Sequence, residues 1–134
     1  MTEFNWPVRV YYEDTDAGGI VYYANYLKFC ERARTEWLRS FGVEQDLWLR
    51  EGIGFVVRKA ELDLVAPGRF NDELLVSCEV EKVRKVSINF TQRIYRKNGE
   101  LLCQARVLAA CVDIIHMKPE PIPAPILEVI TRAR

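Results

Sequence analysis

Histidine is nearly missing from this chain: its 134 residues include one, His116. Nucleophilic serine or cysteine chemistry relies on an imidazole base within hydrogen-bond reach. Any such scheme would run through Ile114-Ile-His-Met117, just after a strand-like run and with only Asp113 as a nearby acid. A packed or solvent-facing histidine at a strand end is the plainer reading. The G-x-S-x-G elbow, the G-x-x-x-x-G-K phosphate loop and the H-E-x-x-H zinc helix are all missing. So is any C-x-x-C pair. Three of the four cysteines, Cys30, Cys78, Cys103 and Cys111, sit in strand-like runs beside Val, Leu and Ala, which points to free buried thiols. Charge of one sign is not in excess, because 19 Lys and Arg balance 19 Asp and Glu. Duplex-binding proteins carry a basic surplus, so nucleic acid is not an expected partner. Near-neutrality means little self-repulsion and is compatible with an oligomer. No stretch approaches the ~18 apolar residues of a membrane span, and the opening lacks a basic region followed by an apolar one. A cytoplasmic protein with no transmembrane segment is expected.

What the chain does have is an ordinary globular composition, 49% hydrophobic and 28% charged, and length for one domain over residues 1–134. Val8 to Tyr12 reads as a short strand. A long helix is predicted from about Ala24 to Phe41, where Tyr26, Phe29, Cys30, Ala33, Trp37 and Phe41 recur at three- and four-residue steps. Gly42 stands where a left-handed residue closes such a helix. Trp37 and Phe41 are expected in the core. A short helical segment covers Gln45 to Glu51. Strands are predicted over Phe55–Val65, Glu73–Lys82, Ser87–Arg96 and Leu101–Asp113, the last two joined by Asn98-Gly99. Val107 to Val112 is apolar on both faces, so it needs cover from both sides; the helix supplies one and a second subunit could supply the other. Prolines 119, 121, 123 and 125 keep the tail out of a central strand, and a short helix is expected near Ile126 to Arg132. One helix laid on one antiparallel sheet is an α+β architecture.

The most unusual segment is Glu13-Asp-Thr-Asp-Ala-Gly-Gly19, three acids in four residues followed by glycines that lead into the long helix. A helix N-terminus offers free N–H groups and a dipole that favours negative charge. Glycines let the backbone approach a ligand closely. An aspartate plus an amide-lined oxyanion site is sufficient for acyl transfer to water. The same acids could instead cap the helix and shape a turn. A hard-cation site is a third reading, against which stands the lack of any nearby histidine.

The segment Tyr12-Glu-Asp-Thr-Asp-Ala-Gly-Gly-Ile-Val-Tyr-Tyr-Ala-Asn-Tyr26 closely resembles the signature of the 4-hydroxybenzoyl-CoA thioesterase family. Phe29-Cys-Glu-Arg-Ala-Arg-Thr-Glu36, Phe55-Val-Val-Arg-Lys59, Phe90-Thr-Gln-Arg93 and Met117-Lys-Pro119 resemble its subgroup of acyl-CoA thioesterases linked to the Tol-Pal cell-envelope system. The resemblance implies a hot-dog fold, one long central helix wrapped by a five-stranded antiparallel sheet. It implies a homodimer or homotetramer with active sites at subunit interfaces, and an acyl-CoA substrate hydrolysed without any cofactor or metal. Asp16 matches the catalytic aspartate, as nucleophile or general base, and the Tyr23 N–H matches the group that polarises the thioester carbonyl. Many members of the subgroup carry histidine at the position of Tyr23; a backbone donor survives that change, an imidazole does not. Gly19 and Asn25 are expected around the substrate. The basic residues Arg58, Lys59, Arg84, Lys85 and Lys118 are candidates for the CoA phosphates. Glu31 could approach the site from the helix or pair with Arg34. The rival reading is a non-catalytic module that binds acyl-CoA or acyl carrier protein as a scaffold near envelope machinery. A hydratase is weaker, because such enzymes pair a histidine with an acid.

Overall fold

The computed structural model describes residues 4–133. The chain runs β1 (Asn5–Arg9), a 3₁₀ turn (Tyr12–Asp14), α1 (Tyr23–Ser40), α2 (Gln45–Arg50), β2 (Ile53–Leu64), β3 (Glu73–Ser77), β4 (Glu79–Val83), β5 (Ser87–Arg96), β6 (Leu101–Asp113), β7 (Lys118–Pro119) and α3 (Ala124–Ala133). The strands form one antiparallel sheet in the order β1-β3-β5-β6-β2, with β4 also on β5 and β7 on β6. The long helix α1 packs on one face, against β1, β3 and β6. This is the α+β, hot-dog arrangement expected from the sequence.

The helix forms because its three- and four-spaced apolar residues meet the sheet. Tyr26, Phe29, Cys30, Ala33 and Trp37 are all buried. Its end is a Schellman motif: Gly42 (φ +85°) donates to the Arg39 carbonyl and Val43 to that of Leu38. The ring of Trp37 meets Phe90 edge-on at 5.9 Å. Phe41 departs from expectation: it leans on Trp37 but stays 40% exposed, because the helix has ended there. In β5, Ile88, Phe90, Gln92 and Ile94 turn toward α1. Gln92 is fully buried; its amide donates to the Cys30 carbonyl (2.9 Å) and accepts from Arg34 Nη1 (3.0 Å). A buried amide is tolerated only when its groups are paired, and here the pairing ties α1 to the sheet.

The structure corrects this reading in three places, two in the strands and one in the last helix. The first strand lies earlier, at Asn5–Arg9 rather than Val8–Tyr12, because an edge strand accommodates Pro7. The stretch Glu73–Lys82 is two strands, giving seven among the described residues rather than five once the short β7 is included. The break at Cys78 has a local cause: the Ser77 hydroxyl accepts the Arg93 N–H (2.8 Å), and Gln92 donates to the Ser77 carbonyl, so side chains intercept the ladder. The last helix starts at Ala124, ahead of the expected Ile126, since Pro125 suits a first turn. As foreseen for β6, Val107, Ala109 and Cys111 are buried on the α1 side, while Leu108 and Ala110 on the opposite face are only half-buried.

All four cysteines are free and buried. Burial pushes the thiols of Cys30 and Cys103 up to about 12 and Cys111 to about 11, and raises Cys78 as well. Only a thiolate is reactive. The native protein is therefore expected to resist a chromogenic disulfide reagent at pH 8, with all four thiols titrating only after denaturant is added; rapid native labelling of any of them would contradict this packing.

Candidate active site

The acidic loop is closed by its own backbone. Asp16 N–H donates to the Ile20 carbonyl, Gly19 N–H returns to the Asp16 carbonyl, and Thr15 bridges to Val21. The exposed Asp16 carboxylate accepts Gly18 N–H through Oδ1 at 2.9 Å. Its other oxygen takes no partner among the described residues. Gly19 sits at φ +80°, a region that side-chain-bearing residues avoid. The neighbouring acid is turned away: Asp14 Oδ2 accepts the Tyr11 N–H at 2.8 Å.

The first turn of α1 grips this loop. Asp14's carbonyl accepts both Tyr22 N–H (2.9 Å) and the Asn25 side-chain amide (2.8 Å), and Asn25 N–H donates to the Tyr22 carbonyl. Between them the N–H groups of Tyr23 and Ala24 have no acceptor among the described residues, as the geometry of a helix start leaves them. A further clamp was not foreseen. Val21 donates to the Gly68 carbonyl (2.8 Å), and the buried Tyr26 hydroxyl accepts Gly68 N–H (3.1 Å). A Cβ on Gly68 would lie 3.0 Å from Val21 and 3.1 Å from the Tyr26 oxygen, so a larger residue would prise loop and helix apart.

The rings of Tyr22 and Tyr23 lie 4.9 Å apart, tilted at 48°, and both are exposed. A hydrogen bond with Tyr23 raises the Tyr22 phenol above its usual range, followed by the charge of Tyr23, burial and the nearby Asp16 carboxylate. Below this start, Leu27 and Glu31 continue the line of Tyr23 at four-residue steps. They wall a groove of about 490 Å³ with Arg34, Val57, Ala60 and Val107. Glu31 and Arg34 do not pair: Glu31 accepts from the Thr35 hydroxyl, while Arg34 turns inward to Gln92 and over the Phe90 ring. Burial lowers the Arg34 guanidinium from its usual range.

Residues 18–103 match the family model of the thioesterase superfamily. The chain belongs to that superfamily. This thioesterase is 49% identical over 126 residues to the acyl-CoA thioester hydrolase YbgC of Escherichia coli O6:H1, with 94% of each chain covered. It is 48% identical over 121 residues to the acyl-CoA thioesterase YbgC of Haemophilus influenzae, covering 90% of this chain and 88% of that one. Slr0204, a 1,4-dihydroxy-2-naphthoyl-CoA thioesterase from Synechocystis, superposes with a TM-score of 0.89 at 26% identity, covering 97% and 96%. The thioesterase is accordingly an enzyme, a thioester hydrolase.

The expected residues fall into two groups and two outliers. Asp16, Gly19, Tyr23 and Asn25 come together at the loop and helix start. Arg58, Lys59 and Arg84 line a different cavity, on the sheet face away from α1. Lys85 and Lys118 line neither: Lys85 sits in the turn after β4, its carbonyl taking Ile122 N–H, and Lys118 faces Asp113 across the β6–β7 pair. His116 is exposed and hydrogen-bonded to Asp113 (2.8 Å) at the end of β6 opposite the acidic loop. No helix among the described residues is long and apolar enough to cross a membrane.

Asn25→Ala in this thioesterase removes a side-chain donor from the Asp14 carbonyl. Losing one buried hydrogen bond costs about 1–3 kcal/mol, and slackening of the loop lowers kcat/KM by roughly 10²-fold. Thermal melts with steady-state kinetics check both; unaltered kinetics would show that the loop stands without this amide.

Proposed function

We propose that this thioesterase hydrolyses a short- or medium-chain or aromatic acyl-CoA to the free acid and CoA. Asp16 is its nucleophile or general base and the Tyr23 backbone N–H its oxyanion donor. The observation that supports this reading is that the loop holding the exposed Asp16 carboxylate is tied, through the Asp14 carbonyl, to the first turn of α1, where the Tyr23 N–H takes no acceptor among the described residues. The sequence similarity to acyl-CoA thioester hydrolases supports the substrate class.

The chemistry asks little of the protein. A thioester is an activated acyl group, because its leaving thiolate is a much weaker base than the alkoxide of an ordinary ester. The carbonyl oxygen accepts the Tyr23 N–H, a stabilisation typically worth about 10²–10³ in rate. The Asp16 carboxylate then either attacks the carbonyl carbon, forming an anhydride that water opens, or takes a proton from water as that water attacks. In both routes the C–S bond breaks and the thiolate leaves as CoA. The acyl part follows the groove along Leu27 toward Val57. Basic side chains on the surface hold the CoA phosphates.

The same reading places the enzyme in the cytoplasm as a homodimer or homotetramer. β2 supports this: it is a 12-residue strand at the edge of the sheet, mostly exposed, and a long open edge is a template for pairing with another copy.

Thiol release from a panel of acyl-CoA, acyl-pantetheine and acyl-carrier-protein substrates tests the proposal, with light scattering for the assembly. Turnover of acyl-CoA is expected. A protein that binds the thioesters without releasing thiol would overturn it. A single turnover in ¹⁸O-water probes the two roles of Asp16: an anhydride opened by water at the Asp16 carbon releases acid carrying an unlabelled aspartate oxygen, whereas the general-base route, like opening at the acyl carbon, puts in ¹⁸O.

A further inference from the structure

The crossing between β2 and β3, residues 65–72, buries little of its own. Gly68 is buried, whereas Val65 and Phe70 are exposed. A segment without an apolar anchor takes its position from polar ties. Its ends have backbone ones: the N–H groups of Val65 and Ala66 donate to the Leu102 carbonyl, and Asn71 N–H donates to that of Val10. Its middle is what meets the acidic loop. The Gly68 carbonyl takes Val21 N–H (2.8 Å), and Arg69 forms a bridge with Ile20. Ile20 in turn closes the loop, its carbonyl accepting the Asp16 N–H (2.9 Å). The place of Asp16 relative to the sheet therefore follows the middle of the crossing.

Arg96, the last residue of β5, reaches that middle from the sheet, where it stands opposite Leu74 of β3. Its three guanidinium nitrogens take three acceptors: Nε donates to Glu100 Oε1 (2.9 Å), Nη1 to Asp72 Oδ2, and Nη2 to the Pro67 carbonyl (2.9 Å). Asp72 Oδ2 also accepts the Arg69 N–H (2.8 Å), and Asp72 N–H returns to the Arg69 carbonyl. One planar group thus holds the residue before Gly68 directly and the residue after it through a single carboxylate. Both side chains of the ion pair are only 21% exposed, so salt screens it less than a surface pair. A guanidinium fork fixes two acceptors relative to one another, which an ammonium point charge does not. Among the described residues, no other side chain ties Pro67 to the sheet.

We infer that Arg96 is a positioning residue for hydrolysis. Through Pro67 and Asp72 it sets the crossing; through Gly68 and Arg69 the crossing sets Val21 and Ile20; and these place Asp16. The inference rests on the hydrolysis reading in one respect, that Asp16 is the group being placed. Its alternative is an ion pair that merely stiffens the β5–β6 hairpin through Glu100.

The test joins amide hydrogen exchange to kinetics on the full-length protein, at a temperature where melts show each variant folded. In Arg96→Gln the Val21 and Asp16 amides are expected to exchange roughly tenfold faster, while amides in the middle of α1 and β6 hold. There kcat should fall about tenfold or more, with KM within about twofold. In an Asp16→Asn background the same change should leave the residual rate within about twofold, because the group it places has gone; a purely structural loss would multiply with the first one. Glu100→Gln frees only the hairpin side of the guanidinium and should move neither readout. Should Arg96→Gln fail to fold, Asp72→Asn takes its place: its amide oxygen still accepts the Arg69 N–H but lacks the charge that holds Arg96, and both readouts should move in the same direction. Unchanged exchange at Val21, an equal effect from Glu100→Gln, or multiplying losses in the Asp16→Asn background would overturn the inference. Failure of the hydrolysis proposal looks different: no thiol release by the unaltered protein, or full activity in Asp16→Asn, with exchange at Val21 still deciding whether Arg96 places the loop.

Discussion

Asp16→Asn is expected to lower kcat/KM for thioester hydrolysis by about 10²–10⁴-fold while the protein stays folded. The separation of the two effects follows from one atom. Asp16 Oδ1 accepts the Gly18 N–H, and an asparagine Oδ1 accepts the same bond, so the loop closes as before. What the amide lacks is the negative charge and basicity that either route through this position needs. Circular dichroism and melting temperature should match the unaltered protein, and the loss should appear in kcat more than in KM, as for a group acting chiefly in the transition state. Activity within tenfold of the unaltered enzyme would remove Asp16 from the mechanism.

Phe29→Ala carries the largest expected effect on stability. Phe29 is fully buried in the stripe by which α1 meets the sheet, and its ring meets Tyr26 edge-on at 6.2 Å. Deleting a buried phenylalanine costs about 3–5 kcal/mol, transfer and cavity together. For a chain of this size that is a fall in Tm of roughly 10–20 °C. The consequence reaches the site, because Tyr26 holds Gly68 and Gly68 holds Val21. Calorimetry gives the first part. A shift below about 3 °C would show that the site collapses around the missing ring.

Much of this was legible in the sequence because it is local. The period of α1, its glycine terminus and the acid-rich loop before it are each written in neighbouring residues. So was the half-covered state of β6, since Leu108 and Ala110 are apolar where a lone chain has nothing to lay on them. What could not be read depends on register. Lys82 and Arg106 are unremarkable surface cations until the register of the sheet brings them to one cavity with Arg58. Ser77 and Gln92 look like ordinary strand residues, yet their side chains interrupt the ladder at Cys78. The hydroxyl of Tyr26 meets Gly68 across 42 residues of chain, and no spacing rule announces such a contact. Pro7 misled for a different reason: proline argues against a strand in general, and only the edge position makes it acceptable.

The asymmetry between the two margins of the sheet has a colloidal consequence. One margin is made of the five-residue strands β1 and β4, with β1 missing a donor at Pro7; the other is the twelve-residue β2. A ribbon that can add a neighbour on one side only has its growth capped after a single addition. The molecule can thus carry an adhesive border at cellular concentrations without seeding fibrils, and swapping Pro7 for a residue with an N–H would be a direct way to ask whether that safeguard matters.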